Sequence, residues 1–120
     1  MDLDILLSIE YWEQYSISSY ENLNLVLDIY RDIINYGDRN LKYCERHHMV
    51  PKSFDADLMS DSNNIIICTY EEHFNIHKLL AKCFSGIFKN KMVLHIKDCV
   101  IQIGIQMAKS IKYLQRNMQN

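Results

Sequence analysis

Proline occurs once and glycine three times in 120 residues, too few for a collagen-like, low-complexity or disordered chain. The four cysteines, Cys44, Cys68, Cys83 and Cys99, fall 15 to 24 residues apart and never form a CxxC pair. That spacing argues against a zinc ribbon and leaves free, buried thiols in a reduced compartment as the expectation. No long apolar run is uninterrupted. The richest stretch, 92–107, contains His95, Lys97, Asp98, Gln102 and Gln106, so a membrane span is excluded. Asp2 and Asp4 stand where an export signal carries Lys or Arg, which assigns the chain to the cytoplasm. A basic excess is missing too: 13 Lys and Arg against 15 Asp and Glu leave a net charge of −2. Taken as one number, that charge argues against a polyanionic partner.

What is present suits a single domain over 1–120. The chain is 48% hydrophobic and 23% charged, enough to build a core without disulfides or a structural metal. In 1–36, Leu3, Leu6 and Leu7, then Leu23, Val26, Leu27, Tyr30 and Ile34, recur at steps of three and four, which predicts two helices. The break falls at Ser16–Ser19. Ser18-x-x-Glu21 reads there as a capping box, and Gly37 as the stop. Trp12 and Tyr11, Tyr15, Tyr20, Tyr30 and Tyr36 read as packing residues of these helices rather than base-stacking platforms.

The helical period is lost over 41–68. Tyr43–Met49 reads as extended, Pro51 pushes Val50 out of helix, and the polar run 53–63 reads as a loop. Ile65-Ile66-Ile67-Cys68 is a β-branched run suited to a strand. Thr69-x-x-Glu72 is a capping box opening a helix that carries His73, Ile76, His77 and Leu80 along one side and ends near Gly86. From Asn90 onward, Val93, Ile96, Val100, Ile103, Met107, Ile111, Leu114 and Met118 describe a long amphipathic helix. The fold class is therefore α+β and mostly helical, in the order α, α, β, β, α, α.

Four of the five histidines, His47, His48, His73 and His77, fall within 31 residues. Neighbours on a strand point to opposite faces, so His47 and His48 cannot do the same job. Residues four apart on a helix share a face, so His73 and His77 can. This divides the set into one strand histidine and two helix histidines around a divalent metal, with the other strand histidine free to accept a proton. Three imidazoles with an open position suit metal-assisted hydrolysis better than a closed structural site. The zincin motif is excluded, because Phe74 follows His73 where that motif requires Glu.

The run Tyr43-Cys44-Glu45-Arg46-His47-His48-Met49-Val50-Pro51-Lys52 is followed by Asn63-Asn64-Ile65-Ile66, then by Thr69, Glu72-His73-Phe74 and His77-Lys78-Leu79-Leu80. Together they resemble the HNH (ββα-metal) endonucleases, especially the phage-encoded, homing-type members. The resemblance covers residues 36–82, about two-fifths of the chain. It implies an HNH core at 37–84, a two-stranded antiparallel ribbon plus a helix clasping one divalent metal. N-terminal helices at 1–36 and a basic C-terminal helix at 85–120 would flank it.

By the same resemblance, His48 takes the general-base position, and Asn64 holds the loop and orients the His48 ring. His47 and His73 take metal-ligand positions, and His77 matches the further helix histidine of the bacterial DNase-colicin branch. Where phage members often carry Gly-Gly after the proline, this chain has Phe54-Asp55, which affects the loop rather than the chemistry. The implied activity is DNA phosphodiester hydrolysis, nicking or double-stranded, to 5′-phosphate and 3′-hydroxyl ends, in the host cytoplasm if the chain is phage-encoded. Imidazole favours Zn²⁺ or Ni²⁺ in affinity, whereas Mg²⁺ is abundant and is retained partly through substrate phosphate; Mn²⁺ also fits.

Arg46, on the strand face of His48, Lys52 and Lys78 are expected phosphate contacts, although Arg46 could equally pair with Glu45. His95 reads as structural and remote from the other four. A non-catalytic DNA- or protein-binding domain with a structural metal is the alternative reading, and a helical interaction domain with incidental histidines is a third. No helix-turn-helix or zinc-finger unit is recognisable, so sequence-specific reading would fall to the flanking helices, a partner or a homodimer. The charge divides sharply: 1–36 carries −6, 37–77 carries −3, and 78–120 carries +7. Lys78, Lys82, Lys89, Lys91, Lys97, Lys109, Lys112 and Arg116 thus assign the back of the chain to the DNA backbone.

Overall fold

The computed structural model describes residues 1–119; the helix end assigned above to residue 120 lies outside the described residues. The N-terminal segment is more broken than its periodicity suggests. It forms helix α1 (Leu3–Leu6), helix α2 (Ile9–Trp12) and a 3-10 turn (Glu13–Tyr15) before the long helix α3 (Tyr20–Tyr36). Ser8 causes the first break. Its Oγ donates to the Ile5 carbonyl at 2.7 Å and caps the Tyr11 amide, a local alternative to continuing the helix. The Trp12 indole N–H then closes the corner on the Leu6 carbonyl at 2.8 Å.

Helix α3 is capped by Ser19, whose side chain accepts from the Asn22 amide, and not by the Ser18 box. Ile17 pairs with Phe84, and the Ser18 amide donates to the Cys83 carbonyl at 2.7 Å, so the backbone stays extended one residue longer. Gly37 ends α3 with φ +76°, a value that favours glycine. Leu23, Val26, Leu27 and Tyr30 of α3 are buried, as is Trp12. Tyr20 and Tyr36 are exposed, which corrects their assignment to the core.

Strands β1 (Glu45–His48) and β2 (Ile65–Cys68) form a two-stranded antiparallel ribbon that pairs Glu45 with Cys68, Arg46 with Ile67, His47 with Ile66 and His48 with Ile65. Alternation turns His47, Ile66 and Cys68 inward, where all three are buried, and leaves Arg46 and Ile67 outside. Helix α4 (Tyr70–Cys83) follows with both halves of the Thr69–Glu72 capping box formed. Glu72 also accepts two bonds from the Arg39 guanidinium, at 2.7 and 2.8 Å, while Arg39 donates to the Ile67 carbonyl at 3.0 Å. This fork ties the segment after α3 to the start of α4, and the guanidinium holds the Glu72 carboxyl below its ordinary pKa.

Helix α4 stops at Cys83, and Gly86, with φ +62°, begins helix α5 (Gly86–Gln119); the last helix therefore starts earlier than its apolar stripe indicated. Its first half packs on α4 through Met92, Ile96 and Cys99. Beyond it the stripe is uncovered among the described residues: Val100, Met107, Ile111, Leu114 and Met118 are exposed. No helix of the described residues is long and apolar enough to cross a membrane. All four cysteines are free, and Cys44 is exposed rather than buried.

Candidate metal centre and active site

His47 arrives on the inward face of β1, and His73 and His77 on one face of α4, so the ribbon and the helix bring three imidazoles together. Their nearest donor atoms all lie within 4.8 Å of one another. Ring centroids are 4.8 Å apart for His47–His73, 5.1 Å for His47–His77 and 4.4 Å for His73–His77. His47 is 2% and His77 6% exposed, burial that a charged imidazolium would make costly.

Each ring is held from outside by one nitrogen. Tyr30 Oη donates its single proton to the Met49 carbonyl at 3.1 Å. It can therefore only accept from His47 Nε2–H, 2.9 Å away, which leaves the lone pair of His47 on Nδ1. Burial holds the Tyr30 phenol well above its ordinary pKa, so that proton stays in place. The Glu45 carboxylate accepts from His73 Nδ1–H at 3.1 Å, leaving the lone pair on Nε2. His77 Nδ1 lies 3.0 Å from Cys99 Sγ, and where that sulfur accepts from Nδ1–H the lone pair of the ring is on Nε2. Outer hydrogen bonds that fix tautomer and ring orientation are what metal-binding histidines require. A borderline-soft divalent ion with an open coordination position fits these donors. Glu45 thus serves His73, and the alternative pairing of Glu45 with Arg46 is not formed.

Burial first, and then the neighbouring imidazoles, push His47 well below the ordinary histidine pKa and His77 down to about 3. The unfolded chain therefore takes up protons before the folded one as pH falls. Stability of the metal-free protein is full above about pH 6.5 and drains away as pH drops toward the folded-state value of His77. For His77 the loss is about 1 kcal/mol at about pH 5.5, and His47 adds to it in the same direction. Thermal melts in the presence of chelator are expected to show a transition temperature that is flat above neutrality and several degrees lower at that pH. A melt that rises on acidification contradicts the neutral, buried pair.

His48 faces the other side of β1, half-buried, with Nε2 2.8 Å from the Met59 carbonyl. A carbonyl only accepts, so Nε2 bears the hydrogen and Nδ1 carries the basic lone pair. Asn64, fully buried, makes no hydrogen bond to His48. Its Oδ1 accepts from the Val50 amide at 2.8 Å, and its Nδ2 donates to the carbonyls of Val50 at 3.0 Å and Leu58 at 3.1 Å. The side chain thus pins both ends of the 50–58 loop and presents the next residue, Met59, to His48. Orientation of the imidazole comes from Met59, and Asn64 acts one step removed. Phe54, at the divergent position after the proline, anchors the loop among the rings of Tyr15, Phe84 and Phe88, with centroids 4.9 to 5.0 Å away.

Arg46, Lys52 and Lys78 are exposed, and Lys78 lies over the Phe74 ring at 5.1 Å. Two of the C-terminal bases are used within the fold: Lys89 donates to the Ala81 carbonyl and Lys91 to that of Ser53. His95 is not remote. Its ring lies 5.5 Å from His77, and its Nε2 lies 3.3 Å from Ser53 Oγ. With Glu45, His73, His77, Asp98 and Cys99 it lines a cavity of about 200 Å³ beside the three-histidine group. The i, i+4 spacing of His95 and Cys99 was a readable sign that they share a helix face.

No protein-family model matches the chain, and no solved structure matches it. Over 64 residues it is 31% identical to the probable mobile endonuclease C of Enterobacteria phage T4. The aligned part is 48% of this chain and 30% of that protein, so the chain spans under a third of the length of this relative.

Proposed function

We propose that the chain is a metal-dependent endonuclease of the HNH type, with 37–84 as the catalytic unit, and that it hydrolyses DNA phosphodiester bonds. The observation that carries this reading is the pairing of two histidine environments on one strand. His47 and His73, with their lone pairs left uncommitted, join His77 in one group, and the adjacent His48 has its basic nitrogen set by a backbone carbonyl. A purely structural metal site has no need of the second. The likeness to a phage endonuclease supports a nuclease, and with it a phage or mobile-element source and action in the host cytoplasm.

His47, His73 and His77 would hold one divalent ion. Neutral imidazoles without a carboxylate favour Zn²⁺ or Ni²⁺ in affinity, while Mg²⁺ or Mn²⁺ would lean on substrate phosphate. When bound, the ion supplies positive charge for the phosphoryl and leaving oxygens. His48 Nδ1 takes the proton from a water that attacks phosphorus in line, and the Met59 carbonyl, accepting from Nε2–H, steadies the charge the ring acquires. Asn64 keeps that carbonyl in place through the loop. Arg46 and Lys52, on the ribbon and its loop, and Lys78 on α4 are exposed and would contact flanking phosphates. The remaining exposed bases of α5 would follow the backbone, and binding through them weakens as salt rises. Expulsion of the 3′-oxygen leaves a 5′-phosphate and a 3′-hydroxyl. Nicks introduced into supercoiled plasmid are accordingly expected to be sealed by DNA ligase without end processing; nicks that ligase cannot seal contradict this polarity.

A further inference from the structure

Cys99 lies on α5, outside the ribbon-and-helix unit that supplies the three histidines, yet its side chain ends on one of them. Met92, fully buried, and Ile96 precede it on the same helix face and fix α5 against α4. Cys99 is 8% exposed, with Sγ 3.0 Å from His77 Nδ1. The other two imidazoles take their outer partners from elsewhere, His47 from Tyr30 on α3 and His73 from Glu45 on β1. The contact with Cys99 orients the His77 ring, and the His95 backbone is a second hydrogen-bonding partner of that ring. His95, one turn earlier on α5, lies against the same ring at 5.5 Å and 45°.

We propose that Cys99 is a positioning residue: its sulfur accepts from His77 Nδ1–H and keeps Nε2 turned toward His47 and His73. A neutral imidazole offers one lone pair, and a ring that carries its proton on Nε2 or is rotated about its axis presents none to the group. Cys99 thereby makes the C-terminal helix part of the metal centre as well as a carrier of positive charge. The inference rests on the reading of His47, His73 and His77 as a metal site.

The test uses the full chain, with Zn²⁺ affinity measured by competition against a chromophoric chelator and with the visible spectrum of bound Co²⁺. Cys99→Ala is expected to weaken Zn²⁺ binding by about 10- to 100-fold, the usual cost of losing an outer partner, and to change the Co²⁺ bands. Cys99→Ser, whose hydroxyl oxygen also accepts from Nδ1–H, is expected to return affinity to near the wild-type value. Cys83→Ala is the control for lost packing. That buried thiol donates to the Leu79 carbonyl, so its removal is expected to lower the melting temperature with metal affinity unchanged. Wild-type affinity in Cys99→Ala, equal losses in the alanine and serine variants, or a thiolate charge-transfer band that makes Cys99 itself a ligand would each overturn the proposal. A wild-type chain that binds neither metal would overturn the metal reading beneath it, and the two failures are thus distinguishable.

Discussion

His48→Ala is expected to lower plasmid cleavage by about 100- to 10,000-fold, the range a positioned general base contributes, with metal affinity unchanged. The separation of effects follows from the strand. His48 and His47 are neighbours on β1 and so project to opposite faces, and only His47 is in the group that could hold an ion. His48 is half-buried, and its one hydrogen bond runs to the Met59 carbonyl. Removing the ring therefore frees a carbonyl beside solvent rather than orphaning a buried one, and folding survives. Parallel metal titration and nicking assays on the variant check both halves of this expectation. A variant as active as wild type would remove His48 from the chemistry, and one that loses metal in step with activity would place it in the wrong group.

His73→Ala is expected to abolish both properties, with Zn²⁺ affinity falling by at least about 100-fold, the upper end of what loss of an outer partner alone costs. Of the three candidate ligands His73 is the most exposed, so its removal perturbs packing least. His47 and His77 are buried, and truncating either adds a cavity to the loss of a donor. The variant also leaves Glu45 without its partner, at the edge of the same cavity, where water reaches it. Melting curves in chelator are expected to match wild type within a few degrees, while the stabilisation that added Zn²⁺ confers on wild type disappears. Retention of that stabilisation by the variant would show that the ion binds elsewhere.

The parts of this fold that were legible in the sequence are those fixed within a few residues of chain. β2 falls on the β-branched run Ile65–Cys68, and the Thr69–Glu72 capping box opens α4, because strand propensity and capping are local effects. Periodicity put His73 and His77 on one face with one of the two strand histidines, and the family resemblance named His47, the one that lies with them. What escaped was set by contacts distant in sequence. Ser18 lost the cap of α3 to Ser19 because Phe84 and Cys83 hold residues 17–18 extended. His95 and Cys99 reach the centre because α5 folds back along α4, which no helical stripe announces. The orienting group of His48 is a backbone carbonyl, invisible in any pattern of side chains, and Asn64 controls it only through the loop.

The most direct measurement is the conversion of supercoiled plasmid to nicked or linear DNA by the wild-type chain, first loaded with Zn²⁺, Mg²⁺, Mn²⁺ or Ni²⁺ and then treated with chelator. Cleavage that requires one of these ions, stops when it is withdrawn and returns when it is restored is the expected result. Cleavage that persists in chelator, or a chain that binds the ion and DNA yet cuts nothing under any of the four metals, would contradict a metal-dependent nuclease built on His47, His73, His77 and His48.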